Sequence, residues 1–176
     1  IPLRLVGSEM CIRDSSNKSI LGALESGGET VERILDIGRI AMSAEMLGNA
    51  ESAFETTIDY LKQRKQFGVL IGTFQALQHR AAEMFCEIEL TKSAVMAAIH
   101  GADENSNELQ RLSSLAKTIA GETLNLVSNE AIQMHGGIGV TDEYDLGFFI
   151  KRSRVAEQIF GSSTYHTERY ANLSGF

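Results

Sequence analysis

Residues 133 to 144 read Gln133-Met134-His135-Gly136-Gly137-Ile138-Gly139-Val140-Thr141-Asp142-Glu143-Tyr144. Three glycines in four positions permit positive φ and let the backbone come close to a bulky ligand. A helix opening at Thr141 or Asp142 would leave bare N–H groups at the turn, and these suit a phosphate or pyrophosphate. A single glycine would read as a helix cap; three, flanked by Gln133 and Tyr144, point to a ligand. A second constellation is Gln63-Arg64-Lys65-Gln66-Phe67-Gly68, followed by Gly72-Thr73-Phe74-Gln75 and Gln78. Arg64 offers a planar fork of donors for a phosphate oxygen, and Phe67 offers an aromatic face. Alone, Arg64 reads as an ordinary residue of a helix end capped by glycine. A third feature is Arg39, set inside an apolar helical stripe. A buried arginine there needs a partner or must snorkel; a pair with Asp36 and a functional role are equally open.

The elements that must position these groups are helical. From Thr30, Val31, Ile34, Leu35, Ile37, Ala41, Ala44, Leu47 and Gly48 recur near the 3.6 period, and the run continues through Phe54, Ile58 and Leu61 to about Gln66. Gly68 and Gly72 mark a loop. Thr73 then reads as the N-cap of a second helix reaching about Ile99, with Phe85 and Cys86 on its apolar side. A short polar link at 101–105 makes helices two and three antiparallel neighbours. The third helix runs from about Glu108 to Ile132. A fourth covers about Glu143 to Phe160, and a last one Ser163 to Leu173. With no strand alternation after residue 20, the expected fold is all-α, an antiparallel four-helix bundle over residues 30–176. Residues 21–29 read as a linker. Residues 1–20 hold no sustained period and resemble a translated sequencing-adapter tail, the rival being a native β-hairpin end. On either reading, the N-terminal side of the protein is expected to be missing.

Bulk properties narrow the function. A net charge of −7 argues against non-specific nucleic-acid binding, and the cluster Lys62, Arg64, Lys65 is too short for a polyphosphate track. Cys11 and Cys86 fit no metal spacing, so no metal is expected. Without a disulfide framework or signal peptide, a cytoplasmic setting is expected. No apolar run reaches membrane-spanning length.

Arg64-Lys65-Gln66-Phe67-Gly68 with Phe74-Gln75, then Gln133-Met134-His135-Gly136-Gly137 with Glu143-Tyr144, resembles the C-terminal domain of acyl-CoA dehydrogenases over about Thr30 to Ala171. The resemblance implies an FAD enzyme that desaturates acyl-CoA thioesters between the α and β carbons. Such enzymes carry an N-terminal helical domain, a middle β-domain and this bundle. They assemble as homo- or heterotetramers, dimers of dimers, and electron-transfer flavoprotein is a possible acceptor. By position, Arg64, Phe67, Gln75, Gln133, Gly136 and Gly137 would contact the adenosine and pyrophosphate of a flavin held mainly by a neighbouring subunit. Ser163 and Tyr165 would lie near the flavin and the partner helix, and Arg39 would face the substrate side.

The reaction needs a general base for the α-proton while the β-hydrogen leaves as hydride. The family places a glutamate in one of two slots. Here one slot is Gly161, in Ile159-Phe160-Gly161-Ser162-Ser163, and the other is Gly38, before Arg39. Losing a positioned base typically costs about 10²–10⁴-fold. Glu157, one turn before Gly161, is a displaced alternative whose plainer reading is a surface glutamate near Arg154. The ending also resembles the small subunits of pimeloyl-CoA type dehydrogenases and of two-component sterol acyl-CoA dehydrogenases, in which His166 is expected to make a structural hydrogen bond. Three readings follow: a non-catalytic or flavin-site-completing subunit of a heteromer, an active homomer with a relocated base, and an assembly scaffold that binds no flavin. Acyl-CoA oxidases and nitroalkane oxidases share the same bundle.

Overall fold

The computed structural model describes residue 20, residue 22 and residues 27–176. Apart from Ile20, the tail assigned to residues 1–20 lies outside the described residues. The chain divides into two units, residues 1–34 and 35–176. In the first unit, residues 27–34 are helical, so residues 27–29, read as linker, already belong to α1 (Gly27–Gln63). The second unit carries the rest of α1 with α2 (Gln75–Asp103), α3 (Leu109–His135), α4 (Leu146–Gln158) and α5 (Ser163–Leu173).

Helix α1 runs unbroken through 37 residues, as a stretch free of proline allows. Its buried face is Ile40, Ser43, Met46, Ala50, Ala53, Thr57 and Leu61, a stripe at three- and four-residue spacing. The stripe read from Val31, Ile34 and Ile37 needs correction, because all three are exposed. The main core joins Met46, Ala50 and Ala53 of α1 to Met84 and Ile88 of α2, Leu124 and Val127 of α3, and Ala156 of α4. The many alanines and small polar residues bring helix axes close. One consequence is a bond between the buried hydroxyls of Thr91 and Thr123 at 2.8 Å, which links α2 to α3. Helix α3 is the central element and buries Ser113, Ser114, Lys117, Gly121, Leu124, Ala131 and His135 among others.

Four local readings change. The loop at Gly68 is a two-stranded hairpin, β1 (Lys65–Gln66) and β2 (Val69–Leu70), with Lys65 opposite Leu70 and Gln66 opposite Val69. Its turn residues Phe67 and Gly68 have φ of 52° and 80°, the left-handed pair of a type I′ turn. Thr73 is not the N-cap of α2. That place falls to Phe74, and the Thr73 hydroxyl donates instead to the Leu70 carbonyl. Cys86 and Phe85 point to solvent, not into the core. Finally, α4 begins at Leu146, several residues after the glycine turn, which is itself a 3-10 turn over Gly136–Val140.

Candidate functional site

Both ligand motifs sit just past the C-terminal ends of helices, Arg64 after α1 and Gly136 after α3. In an up-down bundle the first and third helices run the same way, so these two ends meet. They enclose a groove of about 390 Å³ lined by Tyr60, Arg64, Ile71, Gln133, Gly136 and Gly137, with His135 in its wall. Arg64 is fixed by its backbone: its N–H donates to Tyr60 O and its carbonyl accepts from Ile71 N–H, both at 2.9 Å. Among the described residues its guanidinium has no hydrogen bond or ion pair. Gln133 and Arg64 are exposed at the rim. Phe67 is 90 % exposed at the tip of the hairpin, its ring edge-on to Phe74 at 6.3 Å. Gln75, the first residue of α2, is exposed beyond this pair and does not line the groove.

The chemistry of the glycine turn differs from the sequence reading. The Gly136 N–H already donates to the carbonyls of Ile132 and Gln133 as a helix C-cap, so the turn is not the bare N-terminus of a helix. Gly136 is required for its φ of 66° and ψ of −141°, a conformation open essentially to glycine. A Cβ at Gly137 would meet nothing within 4 Å, which leaves that side of the groove open to a ligand. Arg64 supplies a cationic fork, the glycines supply clearance, and the walls are apolar and aromatic. These groups fit part of a dinucleotide, since ligand pockets run roughly 300–1,000 Å³.

The wall holds two residues the motif reading did not assign. Tyr60 stacks on His135 at 4.1 Å, and Tyr144 meets the same imidazole edge-on at 4.9 Å. Tyr60 lies one helical turn before Arg64, a spacing that puts both on one face, so its place could have been read from the sequence.

Ser163 and Tyr165 belong to a different place. The Ser163 hydroxyl lies where a Cβ on Gly121 of α3 would come within 2.8 Å of it. Gly121 and Gly136 are fifteen residues apart, about 22 Å along the helix. The residues carried over for the cofactor therefore form two groups at separate points of the bundle.

The second group surrounds both base slots. Gly161 has φ 111°, and a Cβ there would lie 2.6 Å from the Tyr165 ring and 2.9 Å from His166 Nε2. At Gly38 a Cβ would lie 2.9 Å from the ring of Phe160. The two slots thus adjoin one feature, the turn Phe160-Gly161, in which Phe160 itself has φ 62°. Two buried groups hold this turn. Lys117 Nζ donates to the carbonyls of Glu157 and Gly161, each at 3.0 Å. His166 Nε2 donates to the Phe160 carbonyl at 3.0 Å, the structural role expected of it. Its Nδ1 accepts from the Ser114 hydroxyl at 3.4 Å, which in turn accepts from Arg169 at 2.7 Å. Burial pushes Lys117 down to about 8, with Glu157 opposing. Burial also pushes His166 down to about 4; the Phe160 carbonyl opposes this, and Arg39, Lys117 and Arg169 reinforce it.

Arg39 is buried, and its Nη1 donates to Asp36 Oδ1 at 2.7 Å. Asp36 also accepts from the Ser113 hydroxyl at 2.7 Å and from Arg169. Arg39 therefore lies in a polar network joining α1, α3 and α5. Glu157 is half-buried on the last turn of α4, and among the described residues no ion pair joins it to Arg154. Also among the described residues, no helix is long and apolar enough to cross a membrane, and no His, Cys, Asp and Glu cluster could hold a metal ion.

The family model described as acyl-CoA dehydrogenase, C-terminal domain, matches residues 25–173. Acyl-CoA dehydrogenase IpdE2 of Mycolicibacterium smegmatis is 34 % identical over 142 residues, 81 % of this chain and 43 % of that protein. Among solved structures, the Tcur3481-Tcur3483 steroid ACAD G363A variant has a TM-score of 0.76 and 32 % identity, over 80 % of this chain and 38 % of that one. An acyl-CoA dehydrogenase from Geobacillus kaustophilus has a TM-score of 0.83 and 28 % identity, over 89 % of this chain and 41 % of that one. The chain spans about two fifths of the length of these relatives.

Proposed function

The chain belongs to the acyl-CoA dehydrogenase family through its C-terminal domain, and from that premise we propose that it is the bundle of an FAD-dependent subunit that completes a flavin site without supplying the catalytic base. The observation that carries this reading is an open groove at Arg64, Gln133 and Gly136-Gly137 in a chain whose two base slots are both glycine, one of them, Gly161, closed to a side chain by its φ and its neighbours. Bound FAD would supply the hydride acceptor for the substrate's β-hydrogen. The chain's own residues bind and shape. Arg64 holds a phosphate oxygen, the clearance at Gly137 admits the dinucleotide, and the exposed Phe67 ring covers it from the hairpin. Gln133 supplies an amide contact at the rim, Gln75 one to any part of the ligand that extends outside the groove, while Ser163 and Tyr165 line the second, distant point.

At that second point, Phe160 and Gly161 leave an uncharged surface where an α-proton would have to be removed. The carboxylate base then comes from a partner subunit. The steroid ACAD relative is named for two components, which supports a heteromer, a tetramer by family habit. The substrate class is a bulky acyl-CoA thioester, and electron-transfer flavoprotein is the proposed acceptor.

Co-expression of the full-length protein with the product of its neighbouring gene tests this. Flavin retention and acyl-CoA dehydrogenation should appear with the partner and be absent without it. Robust turnover by the protein alone, abolished by Glu157→Gln, would instead establish a relocated base. A colourless protein in every combination would leave only the scaffold reading.

A further inference from the structure

Phe160 has a φ of 62°, a left-handed conformation in which a bulky side chain is an outlier. Such strain persists only where neighbouring groups over-determine it. Fully buried His166 donates from Nε2 to the Phe160 carbonyl at 3.0 Å. A carbonyl only accepts, so Nε2 bears the proton and Nδ1 is the acceptor of the neutral ring. The buried Ser114 hydroxyl donates to that Nδ1 at 3.4 Å and accepts from Arg169 Nη1 at 2.7 Å. Asp36 Oδ2 accepts from Arg169 in turn at 3.2 Å. The tautomer of His166 is thus fixed by a chain of bonds reaching α1. At its other end Phe160 lays its ring on the same helix. Ring atoms Cζ, Cε2 and Cε1 lie 2.9 to 3.2 Å from where a Cβ on Gly38 would stand. The residue is still 40 % exposed, so part of the ring faces outward. Ala41, one turn along α1 on the same side, is small and exposed.

We propose that His166 is a positioning residue: by holding the Phe160 backbone left-handed it keeps the ring on Gly38 and off Gly161, and so sets how broad an acyl group the site admits. The proposal rests on the acyl-CoA dehydrogenase reading above and deepens it, because the acyl group beside the thioester is then selected for width. Both ends of Phe160 matter. Without a donor at 166 the carbonyl loses its partner, the backbone relaxes to negative φ, and the side chain leaves α1. With any residue larger than glycine at 38 the seat is filled and the ring is lifted from the helix. Either change puts an aromatic ring where a broad acyl group would lie, while a straight chain passes beside it.

The test uses the full-length protein assembled with its partner and loaded with FAD. Dissociation constants for octanoyl-CoA and cyclohexylacetyl-CoA, which have equal carbon counts and unequal widths, are read from the change in flavin absorbance. His166→Leu keeps the site filled and removes the donor; His166→Gln keeps a donor toward the carbonyl. His166→Leu should weaken cyclohexylacetyl-CoA about 10-fold relative to octanoyl-CoA, the scale on which an apolar site discriminates small differences in bulk. His166→Gln should restore the parent's ratio, and Gly38→Ala should shift it as His166→Leu does. In a Phe160→Ala background, His166→Leu should leave the ratio unchanged, which a loss of general stability would not explain. Should His166→Leu fail to fold by circular dichroism, Gly38→Ala decides on the same ratio. A ratio unmoved in the folded variants, or moved equally with the Phe160 ring absent, would overturn the proposal and leave the family reading intact. A parent assembly that binds neither thioester would overturn both.

Discussion

At Gly161 the backbone sits at φ 111°, and the Tyr165 ring and His166 occupy the space a Cβ would need. A positive φ on a residue with a side chain costs roughly 1–3 kcal/mol, and overpacking a filled site a similar amount. Gly161→Ala should therefore destabilise the chain by about 2–6 kcal/mol in urea unfolding. Gly161→Glu should give a protein no more active toward acyl-CoA than the parent, because a glutamate there cannot keep this turn. Gly38 differs in kind, since its neighbour is the far end of one side chain, the Phe160 ring. Ala at 38 gains roughly 1 kcal/mol of helix propensity but loses about 1–3 to the clash. Gly38→Ala should lower stability in the parent and raise it in a Phe160→Leu background. A double-mutant cycle with no coupling between 38 and 160 would contradict this contact.

Among the elements, the three long helices were legible because their apolar residues recur at helical spacing and no proline interrupts them. The hairpin was not. Two residues per strand are too few for alternation, and its turn is Phe67-Gly68 where Asn-Gly would have announced it. The buried face of α1 was misread in its first turns because Val31, Ile34 and Ile37 are apolar yet exposed, while buried Asp36 and Arg39 look like surface residues. The groove was legible as two motifs and its wall in part: Tyr60 could be placed one turn before Arg64, while its stacking on His135 shows only when α1 and α3 end side by side. The hairpin also yields a prediction. Phe67 holds a left-handed φ at a cost and is 90 % exposed, so its ring adds little to stability. Phe67→Asn should raise stability by about 0.5–1 kcal/mol through a better type I′ turn. The same change should weaken flavin retention in the full assembly. A variant that is both less stable and equally good at holding flavin would show that the ring serves the fold alone.

For the molecule as a whole, two buried bases that donate to the Phe160-Gly161 turn make stability depend on pH. His166 is lowered to about 4 in the folded chain, against about 6.5 unfolded. Between those values the unfolded chain binds more protons, so stability rises with pH there. The contribution is complete above about pH 6.5 and lost as pH falls toward 4. Lys117 is lowered to about 8, against about 10.4 unfolded, so the same sign gives a second rise between pH 8 and 10. Each limb is worth at most about 3 kcal/mol, from roughly 1.4 kcal/mol per pH unit over the interval. Urea midpoints at pH 4.5, 6.5, 8 and 10 should trace a plateau from these two groups between two rising limbs. His166→Gln keeps a donor toward the Phe160 carbonyl but cannot titrate, and it should flatten the acid limb alone. Lys117→Met should flatten the alkaline limb alone and leave the carbonyls of Glu157 and Gly161 without their shared donor. If either variant altered both limbs equally, the two groups would be reporting one event, the melting of the turn, and not two separate titrations.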